Sequence, residues 1–451
     1  MVCLRTRDGR RTFVFTDFIN NVMNTTAHTL TPEYKSIKIA IWLYFLLWIF
    51  EGALRKWILP GLATPLLIVR DPIAIYIILR AFYLGVKFVN LYVILSSFFT
   101  LLSLVITFTF GHENMFVGVY GARIMLLHFP LIFVIGAVFT KEDILKMGRV
   151  MLAITIVMTV IIYFQFISPQ TDYINTGLGG EGSAGFDGAM GYFRPSGTFS
   201  FTTGLSSYYI LASVFVFYFW LSKEACSKIL LIGSTIALII ALPLTVSRTA
   251  VLGVLLVGFF AFLGSSTSIK SIFRLALTIA VIGVLFAVLQ KTTTVFNLGT
   301  EVFMSRVDTA NGQKGGSIIQ RSIDGFTEPF TTLLNAPLFE GNLGMGTNAG
   351  AQLLTGKRSF LVSEGELNRV GGEQGLILGG GLIVLRLVFA CGLFFSSLKL
   401  PGKFKLLPLT FCGTALFLIT QGQWAQPSML GCSVIASGLL VASLNVNTKR
   451  E

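Results

Sequence analysis

Arginines at the ends of apolar segments are the residues whose type and spacing suggest chemistry. Arg194 lies in "FRPSGTFSFTTGLSSYYILASVFVF" and Arg248 in "LPLTVSRTAVLGVLL", each beside a long apolar run. A guanidinium is charged at neutral pH and presents a planar fork of donors that matches phosphate oxygens. These positions predict a site for a phosphate-bearing anion. The alternative is that the arginines extend towards water and pair with acids or headgroups.

A cluster of acidic residues precedes a late apolar run, in "LVSEGELNRVGGEQGLILGGG". On a helix, Glu366 and Arg369 are an i,i+3 pair, and Arg369 and Glu373 are an i,i+4 pair. One interpretation is therefore a salt-bridged helix start. The other is that Glu366 or Glu364 is a general base, because apolar surroundings raise the pKa of a carboxyl towards working pH.

Other catalytic patterns are absent from the sequence. The Gly-rich stretches "GLGGEG" and "GNLGMGTNAG" follow no strand and lack a GK[ST] ending, which argues against a nucleotide site. The histidines are His28, His112 and His128, which do not form a metal cluster, and we expect His128 to be a satisfied interior side chain. The five cysteines form no CxxC or Cys/His cluster. We therefore predict no cofactor and no metal.

The composition indicates a membrane protein. Hydrophobic residues make up 54% of the 451 residues and charged residues only 12%, against about 25% charged in a typical soluble domain. The mean hydropathy is +0.78. The net charge of +13 fits basic cytoplasmic loops rather than nucleic acid binding, because no basic soluble module with interleaved aromatic residues is present.

Apolar windows of roughly twenty residues predict an all-α polytopic membrane protein with about twelve transmembrane helices. The predicted spans are 37–53, 64–84, 89–109, 119–139, 148–168, 203–221, 228–246, 249–265, 271–290, 375–397, 404–421 and 427–445. Lys and Arg in the short loops predict that both termini are cytoplasmic. The predicted organisation is a cytoplasmic tail 1–36, helices one to nine over 37–290 with an outer loop 169–202, a large outer loop 291–374, helices ten to twelve over 375–445, and a cytoplasmic C-terminus 446–451.

This orientation leaves a group of arginines on the outer side, against the usual bias of positive charge towards the cytoplasm. They are Arg55, Arg70, Arg123, Arg194, Arg248, Arg306, Arg321, Arg358 and Arg369. We expect them to form an anion site at the outer interface, chiefly through Arg194 and Arg248, with Arg123 and Arg369 assisting.

Several motifs together resemble the O-antigen polymerase and ligase superfamily. They are "RPSGTFSFTTGLSSYYILA", "LTVSRTAVL", "PLFEGNLGMGT" and "GELNRVGGEQG", while "EGALRKWILPGLATPLLIVRDP" resembles an exopolysaccharide polymerase branch. The likeness covers roughly residues 50 to 445. It implies a GT-C-type membrane glycosyltransferase of the bacterial inner membrane, with its active site facing the periplasm and its large loop between helices nine and ten.

The resemblance also implies a substrate and roles for individual residues. Donor and acceptor would be glycans on undecaprenyl diphosphate, used without nucleotide or metal, with Arg194 and Arg248 matching the diphosphate-binding arginines. A chain-length regulator and a flippase are the candidate partner proteins, besides membrane lipid. The ligase branch uses a histidine in an "HN" motif, and residues 291–374 contain no histidine, which favours a polymerase.

Two alternatives remain open at the level of sequence. A ligase with a substituted base would transfer the glycan to a lipid or protein acceptor in one step. A transporter or lipid flippase would place polar groups at mid-bilayer. Arg386, in "GLIVLRLVFA", is the residue that favours the transporter, since it falls inside a predicted span.

Overall fold

The computed structural model describes residues 34–180, 182, 185–265, 280, 283–312, 327–356 and 361–448. Helices dominate these residues, and we number them in chain order. They are α1 Lys35–Ala53, α2 Asp71–Tyr83, α3 Leu91–Phe110, α4 Met115–Arg123, α5 Phe129–Val138, α6 Lys141–Ile167, α7 Thr202–Leu221, α8 Lys228–Leu244, α9 Arg248–Gly264, α10 Gly283–Thr292, α11 Thr294–Gly312, α12 327–334, α13 Asn348–Thr355, α14 Glu366–Lys399, α15 Leu406–Gln421 and α16 Pro427–Thr448.

Seven helical segments of the described chain are long and apolar enough to cross a membrane. They are Lys35–Ile58, Leu91–Phe110, Met115–Val138, Lys141–Ile167, Thr202–Leu221, Glu366–Lys399 and Pro427–Asn445. Four shorter apolar helices, α8, α9, α10 and α15, accompany them. The prediction of an all-α membrane protein is confirmed at this level, and twelve crossings stay a prediction.

Helix α3 illustrates how these helices suit an apolar solvent. Its buried face carries small polar side chains, which are Ser96, Thr100, Ser103 and Thr107. Its exposed face carries large apolar side chains, which are Ile94, Phe98, Leu101 and Val105. Small polar residues between helices and apolar residues outside are typical of a helix that faces lipid. By contrast, α7 and α16 are almost completely buried and form the centre of the bundle.

The segment predicted as the second span has a different structure. Helix α2 has only 13 residues, because the prolines of "WILPGLATPLL" start two short 3-10 turns before it. At 1.5 Å per residue α2 is about 20 Å long, which is less than the thickness of a hydrocarbon core. Residues 1–33 of the predicted tail 1–36, most of the predicted span 271–290, Arg321 and Arg358 lie outside the described residues.

Helix α14 turns back on itself at Gly375, where φ is 79°. A straight helix would hold Glu366 and Arg386 about 30 Å apart, yet their side chains are in contact at 2.7 Å. The segment 337–339 fills the bend, because the carbonyl oxygen of Pro337 accepts a hydrogen bond from the backbone N–H of Leu376. The polar part 366–374 is thereby separated from the apolar part 376–399.

A two-stranded hairpin lies in the first long loop, with β1 at Phe186–Ala189 and β2 at Tyr192–Arg194. Met190 and Gly191 form its tight turn, both with positive φ, as a two-residue hairpin turn of this type requires. Strand β1 packs against α11. The hairpin ends at Arg194, and the loop 195–201 joins it to α7.

Candidate functional site

Three arginines from different parts of the chain gather at one end of the bundle. Arg194 ends β2, Arg248 is the first residue of α9, and Arg306 lies in α11. Arg306 joins the two segments that carry the others, because its Nη1 donates to the carbonyl oxygens of Asp187 at 3.4 Å and Val246 at 3.3 Å. None of the three forms an ion pair with a carboxylate of the described chain.

The positive charge of this arginine cluster is uncompensated, and the pKa values reflect it. Burial, together with the charges of Arg306 and Arg248, lowers the pKa of Arg194 to about 10. Burial and the charge of Arg248 also lower the pKa of Arg306. The Nε of Arg194 is buried without a hydrogen-bond partner in the described structure. A bound anion would offset both the cost of burying these charges and their mutual repulsion, and would raise the pKa of each arginine.

The turn before α9 fixes the position of Arg248. Val246 has φ of +46° although it is β-branched and fully buried, which is an unfavourable backbone conformation. Ser247 caps α9 by accepting from the backbone N–H of Ala250, and Ser206 of α7 donates to the Ser247 hydroxyl at 2.9 Å. Arg248 thus lies at the positive end of a helix dipole, where a cation is disfavoured unless an anion is bound.

A cavity of about 440 Å³ opens beside the arginine cluster, between α7, α9 and α15. Most of its polar lining residues belong to the adjacent ends of these helices and to the loops there, and they are Arg194, Thr203, Ser206, Ser207, Ser247, Thr249, Gln421 and Gln423. Thr414 is a further polar residue, deeper along α15. One to two turns further along the helices the lining becomes apolar, with Ile210, Leu252, Leu256 and Phe417. The cavity therefore suits an amphiphile with an anionic head and an apolar chain.

The predicted acidic cluster is a buried ion-pair network. The carboxylate of Glu366 accepts hydrogen bonds from Arg369 at 2.9 and 3.1 Å, from Arg386 at 2.7 Å, and from the backbone N–H of Trp424 at 3.0 Å. Arg369 also pairs with Glu373 at 2.5 Å. The guanidinium of Arg386 stacks on the Trp424 ring and donates to the carbonyl oxygen of Ile419.

This network bears on three predicted roles. Both oxygens of Glu366 already accept hydrogen bonds, so its geometry disfavours the predicted role of general base. Each nitrogen of Arg369 donates to Glu366 or Glu373, which disfavours its predicted role in diphosphate binding. The position of Arg386 inside a span is explained by its pairing with Glu366.

Arg123 belongs to a separate buried network. Its Nη1 donates to both oxygens of Asp71, at 2.7 and 2.9 Å. His128 contacts the same carboxylate through Nε2 and the Tyr44 hydroxyl through Nδ1. A π-helical turn over Ile124–His128 brings Arg123 and His128 to the same face. His128 is therefore a satisfied interior side chain, and Arg123 is occupied by Asp71.

Glu364 is the acidic site candidate whose side chain is exposed. Its carbonyl oxygen accepts a hydrogen bond from Nε2 of Gln423 at 3.0 Å, and Gln423 lines the cavity beside the arginine cluster. The structure thus brings Arg194 and Arg248 together and links Glu364 to their cavity through one glutamine. It leaves Arg123 and Arg369 in networks of their own.

Sequence reasoning placed Arg306 among the outer arginines but gave it no role in the site. The sequence does not show how the long loop that carries Arg306 packs against Arg194. The only signal was that Arg306 is a positive charge on the predicted outer side, against the usual bias towards the cytoplasm. Gln421 and Gln423 were missed as well. Within the described ranges no group of three or more His, Cys, Asp or Glu residues is placed to hold a metal ion.

The comparisons with known proteins give no family. The chain matches no protein-family model, and it has no significant match among curated proteins or solved structures. Its function is therefore inferred from the site.

Proposed function

We propose that the protein is a membrane glycosyltransferase that polymerises lipid-linked glycans. The observation that carries this proposal is the cluster of Arg194, Arg248 and Arg306, which has no carboxylate partner in the described structure and lies beside a cavity with one polar and one apolar end. Undecaprenyl diphosphate carrying a glycan has the matching form, with a charged head and a long apolar chain. The motif resemblance to the O-antigen polymerase and ligase superfamily supports the same substrate.

In the proposed reaction a hydroxyl oxygen of the acceptor glycan forms a bond to C1 of the donor sugar. The bond between C1 and the diphosphate oxygen breaks, and the lipid diphosphate leaves with the bonding electron pair. The arginine cluster stabilises the negative charge that develops on the leaving group. Holding both reactants at one interface supplies their orientation.

The proton of the acceptor hydroxyl needs a destination in this scheme. Glu364 is the better of the two predicted bases, because its side chain is exposed and Glu366 is fully engaged with arginines. The alternative, that the arginines suffice and the proton passes to water, stays open. Glu364→Gln distinguishes the two, since only a base role requires a large loss of activity.

The alternatives differ in what becomes of the glycan. A ligase gives one transfer to a lipid or protein acceptor, whereas a polymerase gives a ladder of lengths. The residue that favoured a transporter, Arg386, is accounted for by its ion pair with Glu366. We therefore favour a polymerase over both.

The test uses purified protein in liposomes that contain the lipid-linked repeat unit of the cell that makes the protein, without nucleotide or metal. Products are separated on a gel for wild type, Arg248→Ala and the control Arg149→Ala. Arg149 lies near the N-terminal end of α6. The loop that carries Arg194 follows the other end of that helix, so Arg149 is a control outside the arginine cluster. We expect a ladder from wild type and Arg149→Ala and at least a hundredfold less product from Arg248→Ala.

Each other outcome decides against part of the proposal. A single transfer product makes the protein a ligase. Movement of the lipid-linked unit across the bilayer without any product makes it a flippase. A full ladder from a folded Arg248→Ala protein removes the arginine cluster from the mechanism.

A further inference from the structure

A second cavity, of about 420 Å³, adjoins the arginine cavity and shares Gln421 and Gln423 with it. It lies among α12, the turn before α14, and the end of α15. Its lining residues are Glu328, Pro329, Ser363, Gly365, Glu366, Leu367, Asn368, Gln421 and Gln423. Its volume falls in the range of small-molecule sites.

The chemistry of this cavity differs from that of its neighbour. None of its described lining residues is Lys, Arg or His, and Glu328 contributes an exposed carboxylate. Glu366 is neutralised by Arg369 and Arg386, so Glu328 sets the local charge. One cavity therefore has an excess of positive charge, and the adjoining one offers a carboxylate, amides and a hydroxyl.

Two side-chain amides in the lining have an oxygen without a protein partner, although Nε2 of Gln423 donates to the carbonyl oxygen of Glu364. The Oδ1 of Asn368 and the Oε1 of Gln423 accept no hydrogen bond in the described structure. Each of these oxygens can accept a hydrogen bond from a ligand hydroxyl in place, and an unsatisfied buried acceptor costs about 1–3 kcal/mol. Side-chain amides donate to and accept from hydroxyls, and a carboxylate accepts from them, so the two groups together suit a polyhydroxylated ring.

We propose that this cavity binds a neutral sugar of the acceptor glycan, an inference that rests on the proposed function. Glu328, Asn368 and Gln423 hold the hydroxyls of that sugar. The shared glutamines keep it next to the cavity of the donor diphosphate, so that one acceptor hydroxyl faces the donor. An acceptor sugar with a carboxylate is excluded, because Glu328 repels it and no described lining cation pairs with it.

The test measures two bindings to the full-length protein in detergent. The first probe is the repeat-unit oligosaccharide released by mild acid from the lipid-linked precursor of the producing cell. The second is farnesyl diphosphate, which carries only the charged head and a short apolar chain. The proteins are wild type, Glu328→Gln, Asn368→Ala and the control Glu301→Gln, whose glutamate is exposed on α11 outside both cavities.

We expect Glu328→Gln and Asn368→Ala to weaken oligosaccharide binding by about tenfold each, which is about 1.4 kcal/mol, with farnesyl diphosphate binding unchanged. Glu301→Gln changes neither. Equal oligosaccharide affinity in all four proteins, or none in wild type while farnesyl diphosphate still binds, overturns the sugar site and leaves the proposed function standing. Oligosaccharide binding without any farnesyl diphosphate binding leaves the sugar site standing and overturns the proposed function. If the acceptor sugar of the released unit carries a carboxylate, the proposed selectivity for a neutral sugar is wrong.

Discussion

Arg194 has the most unusual environment of the three clustered arginines, because it is half-buried and its neighbours carry the same charge. This has a consequence for the pH dependence of ligand binding. The diphosphate is fully ionised above pH 8, so a change at higher pH reports the protein. Protonated Arg194 binds the anion and deprotonated Arg194 does not, and its pKa is about 10 in the free protein.

We therefore expect the affinity for farnesyl diphosphate to be constant between pH 8 and about 9.5 and to fall as the pH rises through about 10. Arg306→Gln removes one repelling charge, so the pKa of Arg194 rises and the fall moves to higher pH. Arg149→Gln should leave the profile unchanged. Titration calorimetry across this range checks it, and a flat profile to pH 11 would contradict the environment assigned to Arg194.

Glu366 provides the second prediction at this scale, and it concerns stability. Its removal leaves the buried charges of Arg369 and Arg386 without their shared partner. Breaking a buried pair in this way costs about 3–5 kcal/mol. Glu366→Ala should therefore lower the free energy of unfolding by that amount, as measured by denaturant unfolding in detergent.

The matched control is Glu364→Ala, two residues earlier in the chain. Its side chain is exposed and forms no ion pair in the described structure, so a change within about 0.5 kcal/mol is expected. If Glu366→Ala has the same free energy of unfolding as wild type but loses activity, the main role of the carboxylate is in the reaction and not in stabilising the ion-pair network.

At the scale of elements, the end of α1 and the π-helical turn Leu54–Ile58 after it hold the loop that follows Arg194. The Nζ of Lys56, in a π-helical turn, donates to the Ser196 hydroxyl and to the carbonyl oxygens of Gly197 and Phe199, at 2.6 to 3.1 Å. One turn earlier, Gly52 lies against the same loop, where a Cβ would come within 2.3 Å of the Phe199 carbonyl carbon. Helix and loop are therefore in backbone contact.

Gly52→Ala should displace this loop and with it Arg194. Overpacking of this kind costs about 1–3 kcal/mol, and we expect farnesyl diphosphate binding to weaken by about tenfold or more. Gly61→Ala is the matched control, because nothing lies within 4 Å of a Cβ there. Thermal unfolding and binding are measured for both variants. Wild-type binding in Gly52→Ala would show that the loop does not position Arg194.

At the scale of the whole molecule, the predicted orientation places the arginine cluster outside and the α7–α8 turn inside. The test uses a chain without its five native cysteines, carrying either Asp187→Cys in the hairpin or Lys223→Cys in that turn. Both positions are exposed. A membrane-impermeant thiol reagent should label Asp187→Cys in intact spheroplasts and Lys223→Cys only after the membrane is opened. The reverse pattern would invert the topology and move the site to the cytoplasm.

Helix positions were predictable because apolar length is a local property. Helix α7 begins at Thr202 and ends at Leu221, against a predicted span of 203–221. Helix α6 begins seven residues before its predicted span, at Lys141. Thr140 and Asp143 form a capping box there, and this polar first turn falls outside an apolar window. The short α2 was missed because prolines act on the backbone and not on hydropathy.

The sequence by itself determined the membrane class, the positions of most helices, and the choice of Arg194 and Arg248, since a charge beside an apolar run is visible in the chain. Only the tertiary structure decided which charges remain unpaired. Glu366 meets Arg386 because α14 folds back at Gly375, and Arg306 joins the cluster because α11 packs on the hairpin. Such contacts join residues up to 119 positions apart. They depend on how helices pack, which no local pattern of the chain encodes.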